Sequence, residues 1–417
     1  MIMKIFRKIA KNFVEGQFLK VIFTLIADFF RGLRACVDWG FAAIARFILC
    51  HTSKIQDNKV VFMTFNNNYM CNQKYICEEL LKQNLPLDIV WVCTKAQMAS
   101  GQYPKNVRLV VRDSYEFFKE VTTAKVWVDN ALNFTWNPIP KKKGQFYLQT
   151  WHGSMGLKRI GKQDVKNARW SMSAAMAGKA TDLAVSNSTF ETEVFRQTHW
   201  PKAKILELGH ARNDVFFLDK QEQAKIRSRV CEFYDIPESY YIALYAPTFR
   251  NGDRADTYDL DHMKFVHALE AKFGGRWVLL NRYHFKTKAA RKNNIVQDRI
   301  ISATAYPDIQ ELIVAADVGI TDYSSWICDL VLTQKPGFIY APDLAQYDSE
   351  RGFYYPLDET PFPIAETNEQ LEECIRKFDP TLYEQKRQEF LKARGCKEDG
   401  HATEKIVEII KQQCGLA

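Results

Sequence analysis

The 417-residue chain is 47% hydrophobic and 25% charged, with apolar content for sizeable cores and room for two domains plus an appendage. Its formal net charge of +8 points toward an anionic partner: nucleic acid, a membrane surface or an anionic substrate. Ten cysteines without a CxxC pair argue against a disulfide framework or a zinc site, and read as reduced thiols of a cytosolic protein.

Residues 1–50 carry eight Lys or Arg against three Asp or Glu, a net +5. At about 100° per residue, Ile2, Ile5, Phe6, Ile9 and Phe13 share one arc, and Lys4, Arg7, Lys8 and Lys11 the opposite one. This predicts a helix lying in a membrane interface, with Phe6 and Phe13 toward the acyl chains and Lys4, Arg7, Lys8 and Lys11 toward lipid phosphates. The stretch Phe18–Phe30 has an uncharged core, Val21–Ala27, far short of the ~20 residues a span needs. A third stretch, Trp39–Leu49, is broken by Arg46. A helical hairpin packed on the protein itself or on a second subunit is the bland alternative. No signal peptide is evident, since the early apolar segment is cut by charges and lacks a small-residue cleavage pattern.

From Lys59 the pattern alternates short apolar strands with helices. Strands are predicted at Val60–Phe65, Ile89–Cys93, Val107–Val111, Val126–Asp129, Phe146–Thr150 and Leu183–Ser186, with helices at Tyr75–Gln83 and Ser114–Thr122. A polar stretch, Pro201–Asp219, reads as a hinge. A second strand series follows at Tyr241–Ala246, Trp277–Asn281, Ile300–Ser302, Val318–Ile320 and Gly337–Tyr340. Terminal helices are predicted at Asn368–Lys377, Thr381–Ala393 and Ala402–Gln413. Strands separated by helices of this length imply α/β, with two Rossmann-like domains of parallel sheet facing a cleft. The expected divisions are a membrane-associating segment 1–50, an acceptor domain 51–215 and a donor domain 216–417 that includes the terminal helices. No GxGxxG is present, so dinucleotide binding has no support.

Polar groups gather where predicted strands end. Gln149–Arg159 (QTWHGSMGLKR) brings His152, Gly153, Ser154, Lys158 and Arg159 after one strand. Tyr245–Arg250 (YAPTFR) brings Thr248 and Arg250, and Leu279–Phe285 (LLNRYHF) brings Arg282 and His284. Ile320–Ser325 (ITDYSS) brings Asp322, Ser324 and Ser325. Such ends converge on a cleft at the carboxyl edge of parallel sheets. His152 is the candidate base, because an unperturbed imidazole titrates near neutrality. Arginine forks suit phosphate oxygens. Ser324 and Ser325, before the helix-like Trp326–Thr333, suit either phosphate contact or an N-cap. Asp329 is expected to face the cleft or pair with Lys335. Arg212, Asn213 and Asp214 are read as a hinge turn as readily as a site. Glu350 and Arg351 precede Gly352 in a loop that could close on a ligand. Asp253, Asp256, Asp259 and Asp261 form a carboxylate-rich run that could attract Mg²⁺, though such runs are usually solvated; no cofactor or metal is predicted.

These motifs, in this order, resemble the CDP-glycerol glycerophosphotransferases of teichoic acid and capsule synthesis. The resemblance runs from Val60–Leu80 (VVFMTFNNNYMCNQKYICEEL) through the His152 loop, Gly209–Asp214 (GHARND), YAPTFR, Arg282/His284 and ITDYSSWICDL. It ends at Lys335–Asp343 (KPGFIYAPD) and Ser349–Pro356. Where the family loop usually reads HGTPLK, this chain has Ser154-Met155-Gly156, one residue longer. His210 stands where a tyrosine is common, and Asn281 where a leucine is usual.

The resemblance implies a GT-B architecture and the attack of an acceptor hydroxyl on the glycerol-bearing phosphate of CDP-glycerol, with CMP leaving. His152 and His284 would be catalytic. Thr248, Arg250, Arg282, Asp322, Ser324, Ser325, Glu350 and Arg351 would bind the donor. Gly153, Ser154, Lys158 and Arg159 would meet the acceptor or a phosphate. The partners expected are a CDP-polyol, a lipid-linked or polysaccharide acceptor and an anionic membrane surface, without nucleic acid, at the cytoplasmic face of the membrane. A glycosyltransferase using a nucleotide sugar, or an inactive membrane-binding scaffold, are the competing readings.

Overall fold

In the computed structural model the described residues are 44, 47–133, 139–160, 175–248, 259–283 and 299–416. Met1–Lys54 and Ile55–Ala417 form separate compact units. In the first unit the described helical residues expose Ile44, Phe47 and Ile48. The predicted amphipathic face of Lys4, Phe6, Arg7, Lys8, Lys11 and Phe13 lies outside the described residues. No helix among the described residues is long and apolar enough to cross a membrane.

The second unit holds two parallel sheets. The first is built from β1 (Gln56–Met63), β2 (Asp88–Cys93), β3 (Arg108–Val111), β4 (Ala124–Asp129), β5 (Phe146–Gln149), β6 (Leu183–Ser186) and β7 (Lys204–Glu207), in the order β3-β2-β1-β4-β5-β6-β7. The second comprises β8 (Tyr241–Tyr245), β9 (Trp277–Asn281), β10 (Ile300–Ser302), β11 (Val318–Thr321), β12 (Gly337–Tyr340) and β13 (Ile364–Ala365), in the order β10-β9-β8-β11-β12-β13. The central strands are runs such as VVFM and VWVD with consecutive buried residues, as expected where helices cover both faces of a parallel sheet. In each sheet the strand order reverses once, between β1 and β4 and between β8 and β11. Open α/β sheets bind ligands in the crevice at such a reversal.

Packing departs from the predicted division at residue 215. Met155, Leu157 and Val215 sit in the core of the second sheet. The last helix, Ala402–Gln413, sends Ile406, Val407 and Ile410 into the core of the first sheet. The predicted grouping of all terminal helices with the second half is therefore corrected: this helix's apolar face completes the first core. Its first turn is held by Asp214, which accepts from Ala402 N at 3.1 Å and Thr403 N at 2.6 Å.

The predicted hinge is corrected too. Lys204–Glu207 forms the edge strand β7 against β6, and Ala211–Phe217 is a 3-10 helix with Ala211, Arg212, Asn213, Val215 and Phe216 buried. Its polar residues are there because each finds a partner inside the fold.

Candidate active site

Three loops from the first sheet meet at His152. After β1 the chain turns through Asn66 and Asn67, both in the left-handed region (φ 61° and 60°), which asparagine tolerates better than most residues. Phe65 N then donates to Asn130 Oδ1 at 2.9 Å. After β4, Asp129 gathers the turn by accepting from Ala131 N and Asn133 N; burial raises its carboxyl to about 6 against those bonds. After β5, Trp151 adopts φ 54°, a strained conformation for an aromatic residue of the kind that clusters at functional sites. Asn72 clamps this turn, donating to Thr150 O and Trp151 O at 3.2 and 3.1 Å.

The His152 ring lies half-buried between Trp151 and Phe65, with centroids 4.4 and 5.3 Å away. Its Nδ1 meets the Asn130 carbonyl. A carbonyl only accepts, so Nδ1 carries the proton and Nε2 keeps its lone pair. Burial lowers the imidazole pKa to about 4, the Asn130 bond opposes this, and the charges of Arg212, Lys158 and His210 lower it further. The ring is therefore neutral at pH 7, ready to accept a proton without first losing one.

His152 lines two cavities. One, of about 400 Å³, opens between the halves and is lined by Phe65 and Cys71 from the first and by Pro247, Arg282, Ser324 and Trp326 from the second. The other, of about 470 Å³, is bounded mainly by Leu132, Trp151, Phe190, Phe195 and Tyr354, with Lys158 at its wall. Ser325 borders both.

Arg282 follows β9 into the first cavity. Its Nη1 donates to Ala303 O and Tyr306 O at 2.9 and 2.6 Å, which fixes the guanidinium at the wall. Burial lowers its pKa. Such a group, with carbonyl oxygens and no carboxylate as its hydrogen-bond partners among the described residues, favours an incoming anion.

Several predicted residues stand elsewhere than expected. Asp322 is buried, and its Oδ1 accepts from Thr248 N at 2.8 Å and from Tyr323 N. It joins the loops at the β8–β11 reversal, and neither it nor Thr248 borders the cavity between the halves. Ser325 occupies the N-cap position of the helix Trp326–Leu330 but makes no side-chain capping bond, and with Ser324 it borders the cavity. Ser154 borders the 470 Å³ cavity as expected, though it is buried and accepts from Asn187 Nδ2 at 2.8 Å. Arg159 turns away to donate from Nε to Phe353 O at 3.0 Å. Gly153 contributes its carbonyl to Arg212 Nη2 at 2.7 Å, and a Cβ there would meet Trp151 Nε1 at 2.9 Å. Lys335 donates to Ile313 O and Val314 O and does not pair with Asp329. Arg250, His284, Asp253 and Asp256 lie outside the described residues, as do the side chains of Glu350 and Arg351. Among the described residues no group of three or more His, Cys, Asp or Glu is placed to hold a metal.

The sequence reading undervalued a buried network beneath the loop. Arg212 pairs with Asp329 at 3.2 Å; burial opposes its charge, but Asp329 holds its pKa above the ordinary value. His210 Nε2 lies 2.9 Å from Glu191, whose charge raises the buried imidazole against the cost of burial. Glu398, in the crossing segment before the last helix, accepts from Asn187 Nδ2, Asn213 Nδ2 and His210 N at 3.0, 2.7 and 3.0 Å. Burial pushes its carboxyl up to about 7. No local spacing pointed to Glu398, because its partners are about 190 to 210 residues away.

With this geometry in hand, comparison with known proteins decides the family. The model of the CDP-Glycerol:Poly(glycerophosphate) glycerophosphotransferase family matches residues 44–412. The chain belongs to this family. It is 27% identical over 350 residues to the teichoic acid poly(glycerol phosphate) polymerase of Bacillus subtilis (strain 168), covering 81% of this chain and 46% of that protein. It is 28% identical over 370 residues to the teichoic acid glycerol-phosphate transferase of Staphylococcus aureus (strain NCTC 8325 / PS 47), covering 85% and 92%. The chain thus spans about half the length of the first curated relatives it matches. Among solved structures, the wall teichoic acid polymerase TagF superposes with a TM-score of 0.78 at 26% identity, covering 94% of this chain and 98% of that one. The glycerophosphotransferase family and the two facing sheets establish the expected GT-B architecture.

Proposed function

We propose that this glycerophosphotransferase moves glycerol phosphate from CDP-glycerol to a hydroxyl of a teichoic-acid-type acceptor and releases CMP. The observation that carries the reading is His152: neutral, with Nδ1 bonded to Asn130 O and Nε2 without a hydrogen-bond partner among the described residues, at the meeting of two cavities. The acceptor hydroxyl gives its proton to Nε2, its oxygen bonds to the glycerol-bearing phosphorus, and the bond to the bridging oxygen breaks, so that CMP departs with the electron pair.

The diphosphate binds beside Arg282, Ser324 and Ser325, whose donors face the cavity between the sheets. His284 and Arg250 complete the donor side in this reading, His284 stabilising the leaving phosphate and Arg250 gripping its oxygens. Asp322 and Thr248 shape the crevice from behind. The donor rests on the second sheet and the acceptor comes from the side of the first. The names of the relatives support teichoic acid as the destination.

Residues 1–50 hold the enzyme peripherally on the cytoplasmic face of the membrane, where a lipid-linked acceptor is confined. Each Lys or Arg near an anionic surface contributes about 1 kcal/mol, screened within a Debye length. Liposome co-sedimentation over a salt series tests this: binding indifferent to salt and to anionic lipid would overturn it. Incubation with labelled CDP-glycerol and, separately, with nucleotide sugars tests the reaction. CMP release that needs both CDP-glycerol and acceptor is expected, and turnover of a nucleotide sugar alone would sink the reading.

A further inference from the structure

His152 can accept a proton at Nε2 in one tautomer alone: Nδ1 must carry the hydrogen and Nε2 the lone pair. A neutral imidazole free in water favours the opposite form, with the hydrogen on Nε2. The bond from Nδ1 to the Asn130 carbonyl reverses that preference, because the partner of one ring nitrogen decides the state of the other. The tautomer therefore depends on where that carbonyl points, and the carbonyl belongs to the turn that follows β4.

That turn is held from two directions. Gln149, at the end of β5, donates from Nε2 to Ala131 O at 2.9 Å and accepts at Oε1 from Trp151 N at 3.0 Å. Thr150 N donates to Asp129 O at 2.9 Å. These bonds stitch the turn to the residues just before His152. From within, the Asp129 carboxylate closes it. Oδ1 accepts from Ala131 N at 3.0 Å and from Asn133 Nδ2 at 2.6 Å, and Oδ2 from Asn133 N at 3.2 Å and from Tyr147 OH at 2.7 Å. Four donors thus converge on a group that, ionised, can only accept. Burial pushes the carboxyl up to about 6 against these bonds, so it stays ionised at pH 7. Asp129 is fully buried, and among the described residues no Lys, Arg or His pairs with it. Buried charges ordinarily have a cation or a metal beside them; here backbone and side-chain donors around one turn take that place.

We propose that Asp129 is the positioning residue of the base: by closing the turn it aims the Asn130 carbonyl at Nδ1 and so sets the tautomer of His152. It acts through that carbonyl and borders neither of the cavities that His152 lines. The inference rests on the reading of His152 as the base. An asparagine at position 129 would turn an NH2 toward a donor, and the turn would open to relieve the mismatch. Phe65 would shift with it, since its N donates to Asn130 Oδ1 at 2.9 Å and its ring stacks on the imidazole.

The test uses the full chain with its eight histidines labelled with nitrogen-15, and the signal lost in His152→Gln identifies the ring. In the wild type at pH 7, Nδ1 should be protonated and Nε2 bare. Asp129→Asn should move the ring toward the Nε2-protonated form. Its kcat for CMP release from CDP-glycerol should fall about tenfold or more, part of the ~10²–10⁴-fold that a general base contributes, with KM for CDP-glycerol within about twofold. Asn133→Ala keeps the carboxylate and removes one of its donors, so both effects should be present and smaller. An Asp129→Asn protein that folds and keeps the wild-type tautomer overturns the assignment whatever its kcat, and leaves transfer by His152 intact. Should that variant fail to fold, Asn133→Ala decides by the same two readouts. A wild-type ring protonated on Nε2, or a shifted tautomer at unchanged kcat, overturns the base reading itself, and this inference with it.

Discussion

Arg212 Nη2 stands 3.2 Å from Asp329 Oδ2, with 5% and 3% of the two side chains exposed. The arginine belongs to the 3-10 helix that follows the first sheet and the aspartate to the short helix after β11. The same Nη2 donates to Gly153 O, so one ion pair joins the halves and supports the loop that presents His152. Removing one partner of a buried pair costs about 3–5 kcal/mol, because the other charge is left uncompensated. Asp329→Ala is expected to lose stability on that scale in urea unfolding. Arg212→Met combined with Asp329→Leu should recover much of the stability but not the activity. A double variant that regains full turnover would remove Arg212 from the support of the loop.

His152→Ala is expected to lower turnover by about 10²–10⁴-fold, the usual contribution of a general base, while CDP-glycerol still binds. Retention of more than about a tenth of the rate would contradict that role. The folded pKa of about 4 lies below the ordinary value of 6.5, so the base is neutral down to about pH 5. A pH profile of kcat/KM should therefore have no acid limb near 6.5 arising from this ring. Such a limb, lost only when His152 is replaced, would mean the ring is solvated.

Glu398 carries the opposite sign. Its folded pKa, raised by burial from 4.5 to about 7, means that the native state holds a proton the unfolded chain releases between those values. Stability from this group falls as pH rises from about 5 to about 7 and is level above. Glu398→Gln cannot titrate, so the stability difference should move in the variant's favour over that window, by up to roughly 3 kcal/mol. Thermal melts of both proteins from pH 5 to 8 measure it. A constant difference would place the carboxyl in the ordinary range.

Lys74 links the halves at another point. Its Nζ lies 2.7 Å from both Asp308 Oδ2 and Glu311 Oε1, and Tyr75 donates to Asp308 at 2.9 Å. Burial works against the Asp308 charge, yet Lys74 keeps its carboxyl below the usual range. Lys74→Met leaves Asp308 buried without its cation and is expected to cost about 3 kcal/mol or more. Hydrogen exchange should rise in the helices Cys71–Lys82 and Ile309–Ala315. Unchanged exchange in both would assign the loss to local strain alone.

The repeating strands were legible because buried parallel strands are short runs of consecutive apolar residues, and the chain has them from Val60 to Tyr340. The edge strands β7 and β13 were missed: Lys204–Glu207 is half polar and Ile364–Ala365 is two residues long. Spacing after a strand found His152 and Arg282, but spacing does not tell which way a loop folds. Ser154 and Arg159 were both read as ligand contacts; Ser154 does border a cavity while bonded to Asn187, whereas Arg159 holds Phe353. Asn72, Arg212 and Glu398 owe their importance to partners brought near only by the finished fold.

The His152 loop is anchored at both ends in different places. Upstream, Asn72 and Asn130 hold it to the first sheet. Downstream, Met155 and Leu157 are fully buried in the second core, Lys158 bridges to Phe353, and Leu157 O accepts from Tyr354 N at 2.8 Å. A segment moored on two shores registers their separation. Should the sheets part, the few residues between the moorings would have to stretch or tear free, and the imidazole would be drawn off its Asn130 seat. The seat of the His152 imidazole thus depends on both sheets at once.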